Sequence, residues 1–106
     1  MTTPIQLALV TCPPDAAKNL AASLVEQRVA ACVNILPQVQ SVYRWEGKIT
    51  HDTEHLLLIK FAAGDFDRLC DAVLKLHPSE LPEIIAVNVN DGHAPYLDWI
   101  LASTHQ

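Results

Sequence analysis

The feature that most constrains this chain is a long run of alternating side chains on either side of a single glycine turn. Before Gly47, alternate positions place four residues on one face: Val39, Ser41, Tyr43 and Trp45. A period of two is typical of a half-buried strand, so residues 41–60 are predicted to form one β-hairpin. A strand over residues 33–45 would span about 40 Å, whereas an ordinary strand has about 5–6 residues.

Such a hairpin projects from a domain made of only 106 residues. A two-stranded ribbon is marginal in water, and its outer part carries Tyr43 and Trp45, which are large apolar side chains with one polar group each. A second copy of the chain is the predicted cover for these aromatic rings. The sequence therefore predicts a subunit of a homo-oligomer.

The remaining segments alternate between strand and helix patterns. A short apolar run over residues 5–10 ends at Pro13 and Pro14, and Pro14 begins a helix. Residues 29–36 continue into the hairpin, with Pro37 predicting a bulge or an edge. A second helix begins at residues 64–65 and stops before Pro78, residues 84–89 form the last strand, and Pro95 begins a terminal helix whose Tyr96, Trp99 and Ile100 are predicted to share one face.

The order β-α-β-β-α-β plus a final helix predicts one domain over residues 1–106 with a ferredoxin-like α+β fold. Right-handed crossovers then give the spatial strand order 4-1-3-2. This order places Cys12 and His77 at the same end of the subunit. Cys32 begins the second strand at the opposite end, so it is predicted to lie well over ~10 Å from Cys12 within one chain.

Charge and composition exclude several classes of partner. The net charge is −5, and the seven Lys and Arg residues are scattered without a basic cluster, so nucleic acid is not a predicted partner. No apolar run approaches the ~20 residues of a membrane span, and the run at residues 5–10 is too short for a signal sequence. The three cysteines form no close pair, which is typical of reduced thiols, and a cytoplasmic location is expected.

Four sequence blocks are distinctive: residues 24–34 (LVEQRVAACVN), 41–49 (SVYRWEGKI), 77–84 (HPSELPEI) and 96–99 (YLDW). Together they resemble the CutA divalent-cation tolerance protein family. Residues 41–49 (SVYRWEGKI) resemble its S-x-Y-x-W-x-G-x-I core, and residues 24–34 (LVEQRVAACVN) are similar to its LVE-x-RLAACVN segment. Residues 77–84 (HPSELPEI) resemble HPYE-x-PEI, and residues 96–99 (YLDW) match YL-x-W. The blocks cover nearly the whole chain in the expected order. The resemblance implies a ferredoxin-like subunit, a tightly interlocked trimer, the ability to bind copper, and a poorly defined physiological role.

The candidate metal ligands are His77, Cys12 and Cys32. His77 ends a helix, where a histidine either stabilises the helix terminus or offers an imidazole to Cu or Zn, and the resemblance supports the ligand. Cys12 precedes a helix N-terminus, which favours a metal-binding thiolate, or it is a small buried residue. Cys32 follows Ala30 and Ala31 and fits core packing, although it belongs to a family block. Thr11 and Leu76 stand where some relatives carry Cys and His, so two donors are missing here.

Other reactive residues have weaker interpretations. Lys48, Lys60 and Glu83 are candidates for a ligand cleft between subunits, against the alternative that they are solvated surface charges. His51 and His55 are about 13 Å apart on a strand and do not share an ion. Cys70 lies on the apolar side of its helix, and alkylation is predicted to be fastest at Cys12 and slowest at Cys70.

No nucleophile, P-loop, dinucleotide or Cys-x-x-Cys motif is present, so the sequence predicts a non-enzyme. The leading interpretation is a trimeric cytosolic protein that binds copper or similar divalent cations. The alternative is a regulatory trimer of the PII type, which binds a small molecule or anion between subunits; that analogy is at the level of the fold. A third interpretation is a scaffold whose trimer is its function.

Overall fold

The computed structural model describes residues 3–104. Its elements, in chain order, are β1 (Ile5–Cys12), a 3₁₀ turn (Pro14–Ala16), α1 (Ala17–Glu26), β2 (Cys32–Trp45), β3 (Lys48–Ala62), α2 (Phe66–Leu76), β4 (Ile85–Asn88) and α3 (Ala94–Thr104). The protein is therefore α+β, as predicted. The four strands form one sheet in the order β2-β3-β1-β4, and every neighbouring pair is antiparallel. Read from the other edge, this is the predicted order 4-1-3-2.

The long hairpin is present and reaches away from the rest of the subunit. Strand β2 has 14 residues and β3 has 15, and the molecule measures 45 × 28 × 23 Å along its principal axes. Trp45 pairs with Lys48 across a two-residue turn in which both Glu46 (φ 50°) and Gly47 (φ 79°) lie in the left-handed region. That combination gives a turn twist that matches the twist of the strands. The prediction of a hairpin centred on Gly47 is confirmed.

A bulge interrupts β2 where Pro37 predicted one. Leu36 pairs with Leu56 and the next regular pair is Val39 with Glu54, so β2 holds one residue more than β3 in this stretch. Gln38 takes a positive φ of 60°, and its backbone N–H donates to the Nδ1 atom of His55 at 3.3 Å. Proline lacks the N–H needed for the ladder, so the irregularity falls at this position.

One face of the sheet is covered by α1 and α2. These two helices place apolar side chains at helical spacing against alternate residues of the central strands, and the fully buried members of the core include Leu20, Leu24, Leu57, Ile59, Phe61, Leu69 and Val73. About three to four apolar residues per two turns of each helix thus pack on every second residue of the strands. This layer is the main hydrophobic core.

The other face, which we call the open face, is covered only at one end. There α3 buries Ile100 against Ile5 and Ala31. Strand register places further apolar residues on the same side as Ile5: Leu7, Leu9, Leu36, Leu56, Leu58, Ile85 and Val87. Within one subunit Leu36, Ile85 and Val87 keep 39%, 52% and 50% of their surface exposed. The open face is therefore an apolar surface with an incomplete cover.

One prediction of local structure is wrong, and burial on α3 differs between residues that share a side. The last strand covers only Ile85–Asn88 and is shorter than the predicted residues 84–89. Tyr96 and Trp99 stack on each other at 5.5 Å between ring centroids, and both are exposed, whereas Ile100 is buried. Tyr96, Trp99 and Ile100 have helical spacing on α3 and so share one side of it, as predicted, but only Ile100 is buried, because α3 contacts the sheet mainly through Ile100 and its neighbours Leu97 and Leu101.

Candidate functional site

A groove of about 750 Å³ lies at the end of the subunit where β1 stops. It is bounded by Thr11 and Pro13 at the end of β1, by the outer part of the hairpin, and by the segment that joins α2 to β4. Pro13 follows the last residue of β1 and lines the groove, and Pro78 follows His77, where α2 has ended. Its charged lining residues are Arg44, Asp52, Glu54 and Glu83, and His77 also lines it.

His77 is fixed at the base of the groove through both ring nitrogens. Its Nε2–H donates to the backbone carbonyl of Thr11 at 2.7 Å, and its Nδ1 accepts from the backbone N–H of Ser79 at 3.1 Å. A carbonyl only accepts and an amide N–H only donates, so this pair of contacts defines a neutral imidazole with the proton on Nε2. A metal ion at either nitrogen would have to displace one of these two hydrogen bonds.

Cys12 follows Thr11, whose carbonyl accepts from His77, but Cys12 itself does not line the groove. Successive side chains of a strand point to opposite faces, so Thr11 faces the groove and Cys12 faces the core under α1 and α2. Cys12 is 0% exposed. Burial raises the pKa of its thiol, and the negative charges of Glu54 and Asp15 raise it further. The predicted reactive thiolate is therefore wrong, since both effects favour the inaccessible neutral thiol.

Cys32 is located at the other end of the sheet, as predicted. It begins β2 and pairs with Lys60, whose Nζ lies 3.8 Å from the Cys32 sulfur and 3.2 Å from the hydroxyl of Tyr96. The ammonium also stands 5.5 Å from the centroid of the Tyr96 ring. Burial lowers the pKa of Lys60, but the contacts with Tyr96 and Cys32 together leave it above its ordinary value. Cys12, Cys32 and Cys70 are all free.

The three residues proposed for a ligand cleft do not meet within one chain. Lys48 and Lys60 lie at opposite ends of β3, about 40 Å apart along an extended strand. Glu83 is exposed and lines the groove, while Lys60 is engaged with Tyr96. A cleft that used all three would need contributions from more than one subunit.

The hairpin aromatics are also part of the groove. Tyr43 and Trp45 are 39% and 38% exposed, and the Tyr43 hydroxyl donates to Asp52 Oδ2. That hydrogen bond raises the pKa of Tyr43 because it favours the neutral phenol, with smaller contributions from desolvation and from the charges of Asp52 and Glu54. The sequence identified Tyr43 and Trp45 but missed Asp52 and Glu54 as groove residues. Their position opposite Ser41 and Val39, on the same side of the hairpin as Tyr43, was the available signal.

The groove contains side chains that can donate to a metal ion, but in one chain they do not form a complete metal site. Among residues 3–104, no three His, Cys, Asp or Glu side chains are placed to hold one metal ion. The donor types fit a borderline divalent cation, since an imidazole and carboxylates are present. Their number and placement in a single subunit do not complete the site. No helix within the described part of the chain is long and apolar enough to cross a membrane.

A four-stranded α+β sheet with one incompletely covered face and a groove of mixed acidic and imidazole lining defines a small α+β domain with one candidate binding groove. The family model of the CutA1 divalent ion tolerance protein matches residues 6–103. The chain belongs to this family.

The Homo sapiens "Protein CutA" is 45% identical over 97 residues, a match that covers 91% of this chain and 54% of that protein. The Thermus thermophilus "Divalent-cation tolerance protein CutA" is 43% identical over 100 residues, covering 93% of this chain and 97% of the other.

Solved structures agree with the family assignment. The structure of the Thermus thermophilus protein superposes with a TM-score of 0.92 at 42% identity and covers 95% of this chain and 99% of that one. A Nostoc protein described as "PII-like protein CutA" gives a TM-score of 0.88 at 34% identity, covering 94% and 97%.

The chain spans about half the length of the human relative and 64% of a similar Xenopus laevis protein. Relatives also differ in compartment, because the Arabidopsis thaliana protein is named chloroplastic and an Archaeoglobus fulgidus structure is described as periplasmic. Family membership therefore does not determine a compartment.

Proposed function

We propose that this CutA-family chain assembles as a homotrimer that binds copper or a similar divalent cation and contributes to metal tolerance. The observation that carries the cation proposal is the groove in which His77 lies with three carboxylate residues, Asp52, Glu54 and Glu83. The proposal places the cation there rather than at Cys12, whose sulfur is buried in the core. It assigns no catalytic activity to the chain.

Assembly is supported by the surface that one subunit leaves uncovered. The open face exposes Leu36, Ile85 and Val87, and the hairpin exposes Tyr43 and Trp45. A contiguous apolar surface of this kind is typical of a protein interface. Because no three donors in one subunit are placed to hold a metal, a second subunit or bound water would complete the coordination.

Free thiols support a cytoplasmic location, which fractionation of the source cells can test.

Cation binding can be tested by titration calorimetry with Cu(II) and Zn(II) on the assembled protein. The informative variant is His77→Gln, because glutamine keeps one donor and one acceptor for Thr11 and Ser79 but is a poor metal ligand. His51→Ala is the control, since His51 is exposed on β3 outside the groove. Loss of one ligand should weaken binding about tenfold, a difference of ~1.4 kcal/mol.

The pH dependence provides an independent criterion. A metal ligand must be neutral imidazole, so affinity should fall between about pH 7.5 and about pH 5.5. Equal affinity in the wild-type protein and His77→Gln would reject the groove as the cation site.

A second function is favoured by one specific observation, the match to the PII-like Nostoc protein. In that case the ligand is a small molecule or anion held between subunits, and Lys48 and Lys60 from different subunits are the candidate contacts. Native mass spectrometry of the protein purified without denaturation would separate the two functions, since an organic ligand and a metal ion add different masses. A bound metabolite with no metal would favour the regulatory trimer.

A further inference from the structure

We propose that a second cavity, on the helix side of the sheet, binds a free α-amino acid with an apolar side chain. This cavity of about 370 Å³ lies between the start of α1 and the inner part of the hairpin. Its lining residues are Pro14, Asp15, Lys18, Ile35, Pro37 and His55. All of them belong to one subunit, so the site is distinct from the cation groove and from a cleft between subunits.

The cavity lies on the side of the sheet that α1 and α2 cover. His55 alternates with Leu57 and Ile59 along β3, and both of these residues are buried in the main core beneath the helices. Glu54 and Leu56 point to the opposite side, which carries the cation groove and the open face. Burial of the open face between subunits therefore leaves this cavity accessible from the helix side.

His55 offers one free donor to the cavity. The bulge at Pro37 and Gln38 brings the Gln38 backbone N–H to the Nδ1 atom of His55 at 3.3 Å. An amide N–H only donates, so Nδ1 is the unprotonated nitrogen and the neutral imidazole carries its proton on Nε2. Within residues 3–104, no hydrogen bond engages Nε2. The bulge therefore fixes the imidazole ring and leaves its Nε2–H available to a ligand.

Two opposite charges lie at the same cavity. Asp15 and Lys18, at the start of α1, are both exposed and both line it. In the described part of the chain the only ion pair joins Arg68 to Asp65. The Asp15 carboxylate and the Lys18 ammonium are therefore both free to pair with charges on a ligand.

A free amino acid matches this cavity in charge and in size. Lys18 and the Nε2–H of His55 are donors for its carboxylate, and Asp15 is the acceptor for its ammonium. The rest of the lining is apolar, namely Ile35 and the two prolines, and fits an apolar side chain. Cavities for small molecules measure about 300–1,000 Å³ and combine an apolar lining with a few polar groups. A ligand with a single charge would leave Asp15 or Lys18 unmatched, so a zwitterion is the favoured class.

The test is titration calorimetry with L-leucine on the assembled full-length chain, in Tris buffer with a chelator so that no metal ion contributes. We expect saturable binding with one leucine per chain, and a shift of the Gln38 backbone amide signal in the NMR spectrum. Isocaproate and isoamylamine keep the carbon chain of leucine but lack its ammonium and its carboxylate, respectively. Each should bind about fivefold or more weakly than leucine, because a charge-assisted hydrogen bond is lost.

Charge-neutral variants assign each contact. Lys18→Gln and Asp15→Asn should each weaken leucine binding about fivefold or more, and Lys18→Gln should leave isoamylamine binding unchanged because this amine has no carboxylate. Lys75→Gln and Asp71→Asn, at exposed positions on α2, are the matched controls and should bind leucine like the wild-type protein. Equal binding of the three compounds, unchanged leucine binding in Lys18→Gln and Asp15→Asn, no shift at Gln38, or no saturable binding at millimolar leucine would overturn the proposal.

Discussion

Replacement of Val87 by aspartate tests whether the open face is buried between subunits. Leu36, Ile85 and Val87 have exposed fractions of 39%, 52% and 50%, which together equal about one and a half fully buried aliphatic side chains. At about 1.5–3 kcal/mol each, covering them would contribute about 2–4 kcal/mol per subunit to assembly. A charge at Val87, which pairs with Leu7 in the middle of this face, would be buried without a partner and should cost several kcal/mol more.

We expect Val87→Asp to dissociate the oligomer. Sedimentation velocity and urea unfolding at two protein concentrations would measure this, since the midpoint of an oligomer rises with concentration. Leu74→Asp is the matched control, because Leu74 is 55% exposed on α2, which packs on the other side of the sheet. A wild-type monomer at micromolar concentration, with both variants equally stable, would refute the reasoning.

Three further predictions concern single side chains. Cys12 should be the slowest of the three thiols toward iodoacetamide in the native protein, because it is fully buried; mass mapping that found it fastest would contradict the structure. His77→Ala should lower the free energy of unfolding by about 1–3 kcal/mol through loss of the Thr11 and Ser79 hydrogen bonds, while His51→Ala should change it by less than about 0.5 kcal/mol in the same urea titration. The raised pKa of the Cys12 thiol contributes stability that is fully present below the unfolded-state pKa, about 8.5, and is lost as pH rises through the folded-state pKa. The free energy of unfolding of the wild-type protein, relative to that of Cys12→Val, should therefore be constant below about pH 8.5 and fall above it.

The sequence was sufficient for the architecture because each element has its own local signal. The hairpin followed from alternation and Gly47, and the bulge followed from Pro37, since both residues restrict the backbone directly. The short β4 was overestimated because apolar Ile84 and Val89 flank it. Ile84 packs into the main core and Val89 packs near α3, so both are partly buried without extending the strand.

The candidate site was predicted less well because it depends on contacts that have no local pattern. The topology places Cys12 and His77 at the same end of the sheet, but this does not make them a shared metal site. The Cys12 side chain points into the core, and the His77 imidazole donates its Nε2–H to the carbonyl of Thr11. The sequence around Asp52 and Glu54 has no pattern that distinguishes these two residues from the solvated polar face of a hairpin. Only the position of the α2–β4 segment beside the hairpin makes them part of a groove.

The bulge at Pro37 and Gln38 allows one strand to have two phases of alternation. Before it, the odd-numbered Val33 and Ile35 pack toward the helices, whereas after it the odd-numbered Tyr43 and Trp45 lie on the opposite side with Asp52 and Glu54. Strand β3 has no matching irregularity, so Leu56, Glu54 and Asp52 stay on one side along it, and a deletion of one residue from the bulge would make the ladder regular while leaving the pairs on either side of it and the surfaces of the hairpin tip unchanged. For evolution or design, this position therefore tolerates a one-residue change in the length of β2, because the surface that the hairpin tip presents is set by the uninterrupted β3.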